Sequence, residues 1–420
     1  MTVNGTFRLG ILTFVAVVLA ATSYCDDGVM STSISAVSLE DGSYLIAGDA
    51  TYALDDSVTG HYWYWRIGPD AETKQRGVVD VPDKHDILLG GLVGTGDGGF
   101  RILSRFDGIL WEVAKDDAVT KLSRLKTEGG SLNFLRKHEN GAYLAGGSTY
   151  QPREDGDLNV DGLLLWLDDE GDELARKVYE RGKDEEIWAL VPASDGGFMM
   201  VMSTGRTNKF GLGSVECLLM RCDAKGNVVK EVSLPGAQLN AKLARSNQEI
   251  VLLDSYMTEA AEGCAPSASL KLSAFSEDLT ARWAKNVNDF QPMMVFTPEV
   301  AATEDGRFAL VGSAKWPPTG DEAPPAELRV RVIRSGDSDD FNKLLQVGSD
   351  PGGDIFEFLC PEGALLADGP YLISAQLVHL MDMSDDGEVT SIVVQKLRLS
   401  DGGIVWEKRA RLQKGGPPLE

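Results

Sequence analysis

A turn dipeptide followed by an alternating apolar strand occurs seven times in this chain, and that recurrence restricts the fold more than any other feature. It is first met as Asp41-Gly42 ahead of Tyr44-Leu45-Ile46-Ala47-Gly48 and returns at Asp97-Gly98, Asn140-Gly141, Asp195-Gly196, Asn247-Gln248, Asp305-Gly306 and Asp368-Gly369. Asp-Gly and Asn-Gly supply the positive φ angles of a two-residue hairpin, so each copy predicts a hairpin. A second landmark follows at a nearly fixed offset. The strand Leu163 to Asp168 runs into Asp169-Glu170-Gly171, and Cys217 to Asp223 runs into Ala224-Lys225-Gly226. A last strand then closes the repeat, as in Thr280-Ala-Arg-Trp-Ala-Lys285 and Gly403-Ile-Val-Trp-Glu-Lys408.

Each repeat therefore holds four strands, expected in the fourth unit at Ile187 to Val191, Phe198 to Ser203, Ser214 to Cys222 and Asn227 to Ser233. Four antiparallel strands cannot cover both of their faces alone. Stacking radially into a ring covers the faces and shortens the exposed edges. The fold class expected is all-β, a seven-bladed β-propeller of four-stranded antiparallel blades over residues 31–411, with 412–420 as a flexible C-terminal tail. Repeat two is shortest, and its deficit falls in the loop between the second and third strands.

The pattern Asp-Gly-Gly-Phe, apolar strand, loop, strand ending in Asp-x-x-Gly and a strand bearing Trp resembles the β-propeller repeats of bacterial secreted proteins and lipoproteins. It is loosely similar to the tryptophan-bearing repeats of pyrroloquinoline-quinone-type propellers, carried here by Ser400-Asp-Gly-Gly-Ile-Val-Trp406. The resemblance implies architecture rather than chemistry. Quinone-dependent enzymes of that family carry an adjacent cysteine pair, which this chain lacks.

Residues 1–24 read as a signal peptide: Arg8 precedes an apolar block from Leu9 to Ala21 that closes in Thr22 and Ser23. The expected location is exported, in the periplasm, at the cell surface or outside the cell. Cys25 stands where a lipoprotein carries its lipid, but Thr22-Ser23-Tyr24 departs from a lipobox, so membrane association is expected only if Cys25 is lipidated. The cysteines Cys25, Cys217, Cys222, Cys264 and Cys360 are odd in number and lack a CxxC pair, which points to free thiols. With 64 acidic and 40 basic residues the formal charge is -24. Nucleic-acid affinity comes mainly from lysine and arginine on phosphates, so nucleic acid is discounted as a partner.

Chemistry is sparse at this level. His61, His85, His138 and His379 fall in different repeats without metal-ligand spacing, and no nucleophile elbow or P-loop is present. Asp157, Asn159 and Asp161, with Gly162 and Asp168, match the spacing of a calcium loop; against it, residues 162–168 also form a strand. Calcium is thus the single cofactor the sequence raises, and no catalytic or cofactor-binding residue is assigned. Trp63, Trp65, Trp111, Trp166, Trp283 and Trp406 are expected between blades, whereas Trp316, in the proline-rich insertion Lys315 to Pro325, is a candidate contact residue. The reading is a non-catalytic binding or scaffolding module for a protein or carbohydrate partner. The alternative is a propeller enzyme acting on a carbohydrate or quinone-linked substrate in the central funnel, which would require acid, base or metal groups converging there.

Overall fold

A computed structural model describes residues 29–420 apart from internal segments, the longest being 206–215, 259–266, 291–298, 314–326 and 347–354. Seven four-stranded antiparallel blades stand in a ring, as the repeat predicts. They span residues 34–80, 89–124, 132–179, 184–235, 242–286, 299–346 and 355–413, and are numbered here in that order. In blade 4 the strands are Asp184–Pro192, Phe198–Gly205, Glu216–Cys222 and Val228–Pro235, each within a few residues of expectation. The short hairpin Phe100–Ser104 to Ile109–Val113 gives blade 2 its small size.

The hairpin turns differ from expectation in type, and the difference explains the aspartate. In blade 1 the Gly42 N–H donates to Leu39 O (2.9 Å) and the Leu39 N–H to Ser43 O (2.8 Å), so the turn spans Leu39 to Gly42. Gly42 ends it at φ 75°. This is the longer hairpin in which a glycine in the left-handed region follows a turn. The aspartate before the glycine holds the exit: Asp41, Asp97 and Asp195 accept the N–H of Ser43, Gly99 and Gly197 at 3.0–3.1 Å. Blade 7 makes a two-residue loop, with Asp368 directly opposite Tyr371.

The apolar core divides into seven clusters, each shared between two neighbouring blades, including blade 7 with blade 1. An aromatic residue opens the second strand of several blades and receives an aromatic from the blade before. Tyr64 packs on Phe100, Trp166 on Phe198, Trp283 on Phe308 and Trp406 on Tyr44, with ring centroids 5.0–6.4 Å apart. Cys217 and Cys222 point to opposite faces of blade 4 as buried free thiols. Burial raises the pKa of both.

Both ends of the described chain help close the ring. Val29–Met30 pairs antiparallel with Tyr44–Leu54 of blade 1 and, in parallel, with Glu388–Arg398 of blade 7. Residues 412–420, expected as a tail, instead complete a hairpin in which Gly416–Leu419 pairs with Ile404–Gln413. Polar contacts to both blades hold them there: Pro418 O accepts from Arg76 of blade 1 at 3.1 Å, and Glu420 pairs with Lys408 of blade 7. Between the same blades the Lys396 ammonium lies 2.9 Å from Tyr44 Oη and 4.4 Å from the Tyr371 ring centre.

If interblade packing is the main stabilising term, Phe198→Ala, which empties a site filled from both blade 3 and blade 4, lowers stability by about 3–5 kcal/mol. Val229→Ala on the exposed outer strand changes it by about 0.5 kcal/mol or less. Urea unfolding of the two variants checks this contrast.

Candidate functional site

The first strand of each blade is innermost. These strands run the same way, and each touches the next around the ring, from Ile34–Ser38 through Leu89–Gly94, Leu132–Lys137, Asp184–Pro192, Lys242–Arg245 and Glu299–Ala302 to Ile355–Asp368 and back to Ile34–Ser38. They form the wall of a central channel. Its mouth, as used here, is the end at which the first strands begin and the second strands finish.

Three consecutive inner strands carry a bulge near that mouth. The register slips between Leu89 and Gly91, between Leu132 and Phe134, and between Ile187 and Ala189, leaving Gly90, Asn133 and Trp188 as the extra residues. A bulge breaks the alternation of side chains and re-aims one of them. Asn133 Nδ2 donates to Glu186 Oε1 and to Ile187 O, both at 2.9 Å, while its Oδ1 is buried with no protein partner. Ser131 Oγ donates to the same Glu186 oxygen at 2.8 Å. Trp188 is half-buried and its indole N–H donates to Ser203 Oγ at 2.9 Å.

Arg105 lies over this group. Its N–H donates to Leu88 O (2.8 Å) and its carbonyl accepts from Leu132 N–H (2.7 Å), which fixes its backbone between blades 2 and 3. The guanidinium carbon stands 5.7 Å from the Phe106 ring centre and 5.9 Å from that of Trp188. Arg105 Nε is buried without a protein partner.

Further along the channel, charged side chains from three blades converge. Lys242 and Glu299 occupy equivalent positions, four residues before the turn residues Ser246 and Thr303; Ser35, Gly91 and Ala189 fill that position in blades 1, 2 and 4. The Lys242 ammonium pairs with Glu299 Oε1 at 2.6 Å. Arg136 stands two residues before the turn residue His138, where other blades carry Val37, Val93, Val191, Ala244 and Ala301. Its side chain is exposed to water, with neighbouring protein enclosing it in part. That enclosure lowers the guanidinium pKa, and the Glu299 carboxylate opposes the change. Blades 3 and 6 are three steps apart in a ring of seven, so this attraction acts across the channel.

Asp49 braces the mouth on blade 1. It is buried and accepts the Ser33 N–H at 2.6 Å and the Thr32 N–H at 3.2 Å; Ser33 Oγ in turn accepts the Leu89 N–H of blade 2 at 2.9 Å. Burial pushes the Asp49 carboxyl up to about 6 despite these hydrogen bonds.

The residues singled out from sequence do not assemble into this site. Asn159 and Asp161 lie within the strand Leu158–Leu167, where Asp161 pairs with Thr149 and Asn159 donates to Asp161. A calcium loop needs a turn there, and extended backbone does not provide one. Asp157, His85 and Trp316 lie outside the described residues. His61, His138 and His379 are buried in separate blades, and among the described residues no group of three His, Cys, Asp or Glu is placed to hold a metal. The named tryptophans of the strands do sit between blades. Arg105, Asn133, Arg136, Trp188, Lys242 and Glu299 were missed, although charge at inner-strand positions otherwise filled by small or apolar residues was a readable signal.

A second concavity lies on the outer rim between blades 2 and 3. It measures about 580 Å³ and is lined by Ser123, Arg124, Lys126, Asp172, Glu173 and Arg176 among others.

No family model matches the chain, and no curated protein matches it in sequence. Among solved structures, lignostilbene dioxygenase of Pseudomonas brassicacearum covers 94% of this chain and 93% of its own at 10% identity, with a TM-score of 0.51. An inactive variant of virginiamycin B lyase from Staphylococcus aureus, crystallised with quinupristin, covers 87% and 95% at 12% identity and a TM-score of 0.48. At identities this low the likeness shows the propeller fold alone. The functional expectation is corrected on the geometry of the channel: the non-catalytic binding or scaffolding module is set aside, because charged side chains of the inner strands do meet there. That expectation rested on absent convergent groups, and the channel contains them.

Asp49 gives a pH test of the mouth. With a folded pKa of about 6, above the ~3.9 of an unfolded aspartate, the folded state binds the proton more tightly. Its contribution is therefore most favourable below pH ~4, declines as pH rises through the window to ~6, and is constant above it. Asp278 and Asp305, held at about 2 by hydrogen bonds from Ser276 and Arg307, act in the opposite sense and only below that window. The difference in urea midpoint between wild type and Asp49→Asn, followed from pH 4 to 7, is expected to change across the window and to level off above ~6.

Proposed function

We propose that this protein is an exported enzyme that acts on a carbohydrate in the central channel of the propeller. The observation that carries the reading is the convergence of Arg136, Lys242 and Glu299 from blades 3, 5 and 6, because groups from non-adjacent repeats meet only on the axis. Glu299 is the proton acceptor of the set, and Lys242, at 2.6 Å, orients its carboxylate and offers a charge to developing negative oxygen. At the mouth, the half-buried face of Trp188 beside Phe106 gives a sugar ring an apolar plane, while Asn133 Oδ1 and Arg105 Nε are an acceptor and a donor awaiting partners. A carbohydrate is favoured over a quinone-linked substrate by that pairing of aromatic plane and polar edge.

A turnover screen over oligosaccharides and polysaccharides tests the proposal. Glu299→Gln is expected to reduce the rate on any accepted substrate by about 10²–10⁴-fold with the fold intact by circular dichroism. Turnover unchanged in Glu299→Gln would remove the channel from the mechanism. Export is tested separately by N-terminal sequencing of the mature protein, expected to start near Ser23 or Cys25; an intact Met1 on a cytosolic protein would refute it, and a diacylglycerol mass on Cys25 would identify a lipoprotein.

A further inference from the structure

The segment that covers the junction of blades 7 and 1 lies over a buried histidine. Gly416–Leu419 packs on Ser57–Ile67 and Thr73–Asp80 of blade 1, on the face that carries Trp63 and Trp65 toward blade 7. His61 shares that face, being two residues from Trp63 along an extended strand. It is 1% exposed, and its ring centre stands 5.7 Å from that of Tyr52. Neither ring nitrogen has a hydrogen-bond partner among the described residues, whereas His379 shares one with Thr390 at 3.0 Å. The turn above His61 is Lys414-Gly415-Gly416: Gly415 lies against Tyr52 Oη, and the Gly416 carbonyl faces the imidazole.

Few contacts hold this segment down. Leu419 and Gly416 pair with Arg411 and Gln413, Arg76 donates to Pro418 O at 3.1 Å, and Glu420 accepts from Thr73 Oγ1 at 2.8 Å and from Lys408. A charge created beneath the segment therefore weighs heavily, because a buried imidazolium without partners is costly. Charged and titratable groups surround the ring on every side. Asp80 lies directly opposite it on the neighbouring strand, with Arg76 on the same face; Tyr52 comes from the second strand, Lys414 and Glu420 from the segment, and Lys408 and Arg411 from blade 7. Asp49 faces the other way, with Leu45 and Ala47 on the blade 2 side of its strand.

Burial depresses the His61 pKa below its ordinary 6.5, although Asp80 and the Gly416 carbonyl oppose the change. Once the segment lifts, the ring meets water and recovers the ordinary value, so the undocked state binds the proton more tightly. Docking is then strongest above pH ~6.5 and weakens as pH falls through the depressed value. Glu420 does not set this window: burial raises its carboxyl, but Lys408 and Thr73 hold it below the usual glutamate range.

We infer that residues 414–420 are an acid-released latch on the ring closure and that His61 is its trigger. With the imidazole neutral the latch lies docked on blade 1. A proton on His61 undocks it and leaves the junction of blades 7 and 1 to Val29–Met30 and the shared core.

The test is hydrogen exchange of the full chain between pH ~7.5 and ~5, read by mass spectrometry on a peptide spanning 404–420 and corrected for the intrinsic pH dependence of exchange. Protection there is expected to fall with acid, by up to about tenfold for each pH unit of depression of the imidazole, while Phe198–Gly205 of blade 4 keeps its own. His61→Gln and His61→Phe cannot take the proton, and both are expected to hold protection constant; one keeps a polar group and the other a ring, so misfolding of either leaves a usable variant. Asp80→Asn removes a carboxylate that steadies the charged ring and is expected to deepen the fall. Protection of 404–420 that ignores pH overturns the inference. So does a fall that persists in both histidine variants, which assigns it to another group, or one shared equally by Phe198–Gly205, which is acid unfolding of the whole ring.

Discussion

Burial of each blade against the next is the interaction on which everything else in this molecule depends. A single four-stranded sheet leaves two apolar faces in water, and seven shared clusters show how the ring removes both from every blade. The last interface is the vulnerable one, because no covalent connection spans it. Val29–Met30 pairs with blades 7 and 1 at once, and the hairpin ending in Gly416–Leu419 lies over blade 1. With that closure made, the inner strands are held at fixed separation and a channel exists.

Function follows from the same closure. Residues of distant repeats face one another only across the axis, so Arg136 senses Glu299 although 163 residues separate them along the chain. The bulge at Asn133 directs its amide onto Glu186 and Ile187 of blade 4, and the bulge at Trp188 leaves that ring half-buried on the blade 4–blade 5 cluster beneath Arg105. Outside, the fourth strands carry lysine and arginine, as in Val119–Arg124 and Ile404–Gln413, which guards the exposed edges against pairing with other chains.

The fold was largely legible because its determinants are local and repeated seven times. Asp-Gly turns and alternating strands report spacing directly, and spacing is what a blade requires. The turn type was less legible: Asp41 and its equivalents are needed to hold the residue two positions later, a contact invisible until Ser43 and Gly99 are placed. The site was least legible. Lys242 and Glu299 come 57 residues apart in two of the shortest strands, and nothing in either segment signals a partner. The repeat shows in the mainly apolar second strands, whereas the charge that replaces small residues lies on the inner strands, at Arg136, Lys242 and Glu299. Asn159 and Asp161 illustrate the reverse error, a motif whose spacing is right and whose backbone is a strand.

The channel as the site of action is the central claim, and a crystal structure of the mature protein soaked with D-galacturonate tests it most directly. Ligand density is expected inside the ring, between the Trp188 face and the Lys242–Glu299 pair. Density confined to the outer cleft beside Arg124 and Arg176, with the channel holding only water, would contradict the account.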